Sequence, residues 1–309
     1  MNPTLGEGLA ALKIPLLIGA AGFGALWGSF LNVCILRIPR GMSVVSPPSH
    51  CFACKKRVRA RDNIPIVSYF LLRGRCRHCG ARFSARYALV EALAAALSAL
   101  TLWCFAFDAP GLPLGVRVAR YTAYFTFSAV LLVLTFIDLD TKRLPDIITL
   151  PSIIVFYLAG FATGGPDWLA RLVGAFAGYA FVRLIADAYY YGTGREGLGL
   201  GDGKLLAVIG ALLGWKALLP IVFSASFVGI AVSVPALVLG RRKRARGDAT
   251  EAVAASPPSA TDSPALPPSI RRAEVPFGPF LAASALAYVF LYEQVWRFVE
   301  RVLQGVYQG

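Results

Sequence analysis

Residues 119–146 read ARYTAYFTFSAVLLVLTFIDLDTKRLPD. No charged side chain falls between Arg120 and Asp138, and such a run approaches the roughly 20 apolar residues a helix needs to cross a bilayer. The run stops at a string of acids and bases, so Asp138 marks where this span meets water. Working outward, comparable runs lie near 14–36, 87–107, 147–163, 168–190, 204–216, 217–240 and 276–296. The pattern predicts an all-α polytopic membrane protein with about eight transmembrane helices. The run 204–216 is short, which predicts a tilted, re-entrant or neighbour-shielded helix. The run 14–36 is long and Gly-rich, with no small-residue cleavage site before the bases that follow, and reads as a retained span.

Composition agrees. The chain of 309 residues is 57% hydrophobic but only 16% charged, with a mean hydropathy of +0.62, whereas a soluble domain carries about 25% charged residues. The apolar surplus must face something other than water. The net charge of +14 would suit nucleic acid, but the Lys and Arg side chains cluster in short segments between apolar runs, as the positive-inside rule expects of a membrane protein. No nucleic-acid partner is expected; the bilayer is.

Charge also sets the topology. The segment 37–86, from Arg37 and Arg40 through Lys55, Lys56 and Arg57 to Arg86, is the densest in bases, which puts it in the cytoplasm. Alternate loops carry Lys142 and Arg143, then Arg195, then the cluster Arg241–Arg246 with Arg271 and Arg272. Both termini are therefore expected outside. The expected divisions are 1–36, an N-terminal tail and first helix; 37–86, a cytoplasmic zinc-binding domain; 87–240, a transmembrane core; 241–275, a basic and Pro/Ala/Ser-rich linker; and 276–309, the last helix and tail. The linker is too poor in bulky apolar residues to bury a core and is expected to be disordered.

Four of the six cysteines form Cys51-Phe-Ala-Cys54 and Cys76-Arg-His-Cys79, the second pair followed by Gly80. Two C-x-x-C knuckles at this separation suit tetrahedral zinc, and four thiolate ligands leave no open position, so the metal is expected to be structural. The alternative is a pair of disulfides, which a cytoplasmic location disfavours. His78 remains open as a substitute ligand. Cys34 and Cys104 fall within spans and read as packing residues.

Acids are scarce, and an acid near the bilayer is costly enough to be a functional candidate by default. Asp138 ends the span near 119–138. Asp202 opens the next short one in the string GLGLGDGK, residues 197–204. Two spans separate them, so both emerge on one face. Aspartyl proteolysis needs two carboxyl groups sharing a proton, and neither a metal nor a serine. The glycines at 197, 199, 201 and 203 would let a substrate strand or neighbouring helix approach Asp202. The other acids have simpler readings: Asp140 and Asp146 pairing with Lys142 and Arg143, Asp146 capping a helix, Asp187 pairing with Arg183 four residues earlier, and Glu91 reaching the headgroup region.

Taken together, GSFLNVCILRIPRGMSVVSPPSHC, NIPIVSYFLLRGRCRHC, RYALVE, FIDLDTKRLPD, GLGLGDGKLLAVIGALLG and VPFGPFLA resemble the type IV prepilin peptidases of bacterial pilus and type II secretion systems. The resemblance implies an inner-membrane enzyme whose catalytic pair is Asp138 and Asp202, with Cys51, Cys54, Cys76 and Cys79 holding zinc. It implies cleavage of a basic leader from prepilins and pseudopilins on the cytoplasmic side, then N-methylation of the new N-terminus from S-adenosylmethionine. No Gly-rich loop after a strand marks a cofactor cradle, so the methyl donor rests on resemblance and its contact residues stay unassigned. Two other readings compete: a presenilin- or signal-peptide-peptidase-like intramembrane protease, against which Ile137 stands where a Tyr would precede the first Asp, and a transporter or scaffold, for which a tetracysteine domain has no obvious task.

Overall fold

The computed structural model describes residues 3–107, 111–194, 199–235 and 276–307, with side chains from residue 12 to residue 292 within those ranges. The chain forms α1 (Pro3–Arg37), α2 (Val67–Leu71), α3 (Arg86–Leu102), α4 (Leu114–Thr141), α5 (Asp146–Thr163), α6 (Trp168–Thr193) and α7 (Leu200–Leu213). An apolar helical segment, α8 (Trp215–Pro235), and α9 (Gly278–Tyr307) follow. Among the described residues no strand is present, only two isolated bridges in the cysteine segment. The 241–275 linker lies outside the described residues.

All eight apolar runs are helical over their described residues, and among those residues six helices are long and apolar enough to cross a membrane. The protein is therefore a multi-pass membrane protein. Its outward faces carry the apolar side chains: Ile147, Leu150, Ile154, Leu158 and Phe161 on α5, and Leu219, Phe223, Phe227 and Ile230 on α8, are all exposed. An apolar belt of this extent is stable only against lipid. Polar groups turn inward, where Ser98 donates to the Ala20 carbonyl at 2.7 Å and pairs with the Tyr121 hydroxyl at 2.8 Å, tying α1, α3 and α4 together.

The run 204–216 resolves into α7, of 14 residues, about 21 Å of helix at 1.5 Å per residue. It begins at Leu200, before the predicted start. Leu205 to Leu212 are all buried, so this short helix is enclosed by its neighbours and sits at the centre of the larger core cluster with Phe127, Leu131, Leu134, Phe156 and Leu281. A smaller cluster, including Leu31, Ile35, Val90 and Ile137, joins α1, α3 and α4.

Two Gly-x-x-x-Gly stripes make the close approaches. A Cβ on Gly174 would lie 2.6 Å from the Gly210 carbonyl oxygen, and one on Gly178 would lie 2.6 Å from that of Leu206, so α6 and α7 touch backbone to backbone. On α1, a Cβ on Gly28 would lie 2.6 Å from the Glu91 Cα. We expect Gly178→Val to push α7 away from α6 and destabilise the protein by about 1–3 kcal/mol, the usual cost of overpacking. A lowered thermal midpoint in detergent, with Gly19→Val as an unobstructed control, checks this.

Candidate active site and metal centre

Asp138 lies one turn before the end of α4 and is 6% exposed. Asp202 lies in the first turn of α7 and is half-buried. The two carboxylates are close enough to feel each other's charge. The chain reaches this arrangement through α5 and α6, the even number of crossings that parity requires. Leu144, between α4 and α5, brings the two parts together: a Cβ on Gly201 would meet its side chain at ordinary contact, 3.4 Å.

A third element closes the site. The amide of Gly278, at the start of α9, faces the Asp138 carboxylate, and a Cβ there would lie 2.5 Å from Asp138 Oδ2. That oxygen is buried with no hydrogen-bond partner among the described residues. Gly278 was missed as a site residue. The quoted string VPFGPFLA contains it, but only the tertiary contact shows why a side chain is not tolerated there.

Each aspartate has a neighbour two residues on that ties its helix to another. Asp140 pairs with Arg86 of α3 at 2.5 Å, and the same guanidinium donates to the Phe136 carbonyl at 2.9 Å. Lys204 of α7 pairs with Asp146 of α5 at 2.5 Å. These pairings correct two sequence expectations. Asp140 and Asp146 do not pair with Lys142 and Arg143, because α4 ends in a left-handed turn at Lys142 and the acids face other helices. Asp146 does not cap α5; Pro145 holds the cap position with no side-chain bond. Such partly exposed pairs contribute only about 0–1 kcal/mol each, so their main effect is to fix where α4 and α7 end.

Other expectations resolve simply. Asp187 pairs with Arg183 at 2.8 Å, as helical spacing predicted. Glu91 accepts the Ile66 N–H at 2.7 Å. Cys34 is buried against Leu31 and Ile35. Gly203 packs on α6, where a Cβ would lie 3.3 Å from the Tyr179 carbonyl oxygen, whereas nothing crowds Gly199; Gly197 lies outside the described residues.

The four cysteine sulfurs converge within 4.8 Å of one another, without His78. The two knuckles share one backbone design: Cys51 N–H donates to the Lys56 carbonyl at 2.9 Å and Cys76 N–H to that of Ala81 at 2.8 Å. The residue after each second cysteine is left-handed, Lys55 at φ +59° and Gly80 at φ +70°. All four thiols are free, so the disulfide alternative is not formed. Tetrahedral zinc with 2.3 Å bonds needs sulfur separations of about 3.8 Å; Cys51 and Cys79 are 3.8 Å apart, and Cys54 and Cys76 are 4.0 Å apart. Amides of Cys54 and Ala53 pull the Cys51 thiol down to about 6. The Cys79 thiol, although the Ala81 amide lowers it, is pushed up to about 11 as burial and bonds from the other three sulfurs outweigh that amide. With four sulfurs at these separations the cluster fits zinc.

Bundle and site together define a class: a multi-pass helical membrane protein with two interacting carboxylates at the ends of enclosed helices and a tetracysteine domain between its first two spans. Residues 23–105 match the Bacterial Peptidase A24 N-terminal domain, and residues 125–234 match the type IV leader peptidase family. The chain belongs to that family. A prepilin leader peptidase/N-methyltransferase of Neisseria gonorrhoeae is 36% identical over 265 residues, covering 78% of this chain and 88% of the relative. One from Burkholderia pseudomallei (strain 1026b) is 34% identical, covering 86% and 82%, and one from Aeromonas hydrophila is 38% identical, covering 70% and 80%. No solved structure matches the chain.

Two outcomes follow from the site geometry. Freshly purified protein should contain about one zinc per chain, and Cys54→Ser should lower both the zinc content and the protease resistance of residues 37–86, because a closed site contributes folding free energy. Elemental analysis with limited proteolysis reads both. Gly278→Ala should displace Asp138 and reduce peptide cleavage by about 100-fold, the order of loss that a 1 Å misplacement brings, with membrane insertion and zinc content retained. Initial rates on matched membranes measure it.

Proposed function

We propose that the protein cleaves the basic leader from type IV prepilins and type II secretion pseudopilins at the cytoplasmic face of the inner membrane, with Asp138 and Asp202 as its catalytic pair. It then methylates the new N-terminus from S-adenosylmethionine. The observation that carries the reading is the buried Asp138 carboxylate, with Oδ2 unpartnered among the described residues and Asp202 within electrostatic reach. Membership of the leader peptidase family and relatives named as leader peptidase and N-methyltransferase support the substrate class and the second activity.

In the mechanism the pair holds one proton, because two neighbouring, partly buried like charges do not both ionise. The ionised carboxylate takes a proton from water as its oxygen attacks the scissile carbonyl carbon. The protonated one hydrogen-bonds the carbonyl oxygen as charge develops there. Collapse of the tetrahedral adduct breaks the C–N bond, and a proton from the pair passes to the leaving amine. Gly278 packs on the Asp138 carboxylate and Leu144 on Gly201, beside Asp202. The zinc domain takes no part in bond cleavage, since four thiolates leave the ion no open position.

Because only the singly protonated pair is active, cleavage rate against pH is expected to be bell-shaped, both limbs belonging to the pair. Asp138→Asn and Asp202→Asn should each abolish the shift of prepilin to mature pilin. Asp140→Asn and Asp146→Asn should retain measurable activity, since each loses one interhelical ion pair. Near-normal processing by either catalytic variant, at matched expression, would sink the assignment.

A further inference from the structure

The short helix α2 of the cysteine segment turns its apolar face outward. Ile64, Val67, Phe70 and Leu71 recur at helical spacing along α2 and the turn before it, and all four are exposed, Phe70 by 69% and Leu71 by 73%. The opposite face, with Ser68, Tyr69 and Leu72, lines a cavity of about 540 Å³ between the cysteine segment, the end of α1 and the start of α3, with Glu91 in its wall. We propose that α2 lies in the membrane surface, with Ile64, Val67, Phe70 and Leu71 among the acyl chains of the nearer leaflet and Arg73 and Arg75 on its phosphates. The cysteine domain is then docked on the bilayer and not merely strung between two spans.

The depth of α2 supports this. α1 and α3 run antiparallel in a register marked by Gly28, whose Cβ would lie 2.6 Å from the Glu91 Cα, and by Asn32, which donates to the Tyr87 carbonyl at 3.0 Å. Beyond Asn32, α1 continues to Arg37, about 7.5 Å further at 1.5 Å per residue. Glu91 accepts the Ile66 N–H at 2.7 Å, so the chain enters α2 nearer the membrane centre than the end of α1. At that level α1 exposes Leu26 and Phe30, and α3 exposes Leu89 and Leu93. These belong to the lipid-facing belt, and the outward face of α2 adds to it. An apolar stripe that is a liability in water is an ordinary feature of an element lying in a leaflet.

The orientation is fixed at both ends of the helix. Ile66 at φ +63° and Arg73 at φ +51° bracket α2 in the left-handed region, and strain of this kind persists only where surrounding structure holds it. Glu91 holds the first. At the second, the Gly74 N–H donates to the Tyr69 carbonyl and the Phe83 N–H to that of Gly74, both at 2.9 Å. Between them, buried Ser68 accepts the Ile64 N–H at 2.9 Å, and Tyr69 meets Phe83 edge-on with ring centroids 5.6 Å apart. These contacts engage the inner face with the domain and leave the apolar face outside.

Charge completes the match. Arg73 and Arg75, directly after the apolar face, are exposed and form no ion pair among the described residues. No acid falls between Asp62 and Glu91. Apolar side chains beside unpaired bases complement acyl chains beside anionic headgroups.

The test places the photoreactive residue p-benzoylphenylalanine at Phe70 or, on the inner face, at Tyr69 or Leu72. The full-length protein is reconstituted in bilayers of phosphatidylcholine with phosphatidylglycerol, irradiated, and its adducts read by mass spectrometry. Phospholipid adducts at position 70 should exceed those at either inner position several-fold, at wild-type zinc content. Arg73→Gln with Arg75→Gln should lower the yield at position 70 in these bilayers, and lower it less in phosphatidylcholine alone. Equal lipid yields on the two faces, or adducts at position 70 to a second protein chain in place of lipid, overturn the docking. An undiminished yield in the arginine variant overturns the assignment of those bases to the headgroups.

Discussion

A helix of 14 residues does not reach across a hydrocarbon core of about 30 Å, and the arrangement of this protein follows from keeping such a helix at membrane depth. α7 holds its place because α6 meets it backbone to backbone at Gly174 and Gly178, while α4, α5 and α9 cover its remaining faces with Phe127, Phe156 and Leu281. The enclosure leaves the start of α7 partly covered by its neighbours. Asp202 occupies that end.

Two partly buried carboxylates near a membrane are unfavourable unless the fold holds them there. The helices around them are long and interlocked, and the charges that fix their ends are placed beside the pair and not on it. Arg86 with Asp140 and Lys204 with Asp146 anchor α4 and α7 to their neighbours, and among the described residues no base pairs with Asp138 or Asp202, where it would keep both ionised. Had either base paired with Asp138 or Asp202 directly, a shared proton would be lost, and with it the chemistry proposed for the pair.

Much of this was legible in the chain because it is local. Apolar runs, the positions of bases between them and C-x-x-C knuckles are patterns of near neighbours, and all eight helices and the cysteine cluster appear where those patterns lie. Parity, which needs only a count of crossings, put Asp138 and Asp202 on one face; that their charges interact is a long-range matter the count does not reach. What was not legible depends on which distant faces meet. Arg86 and Asp140 are 54 positions apart and Asp146 and Lys204 are 58 apart, so the nearer bases Lys142 and Arg143 looked the better partners. Gly278 belongs to the site only because α9 returns onto α4, and the cavity at Glu91 exists only once α1, α3 and the cysteine domain have packed.

That return of α9 has a consequence for biogenesis. Asp138 and Asp202 leave the ribosome well before residue 278, so a nascent chain can hold both aspartates and still lack the backbone that closes over Asp138. The site is completed only once α9 is made and inserted. A chain truncated between Asp202 and Gly278 carries both aspartates in an unfinished enclosure.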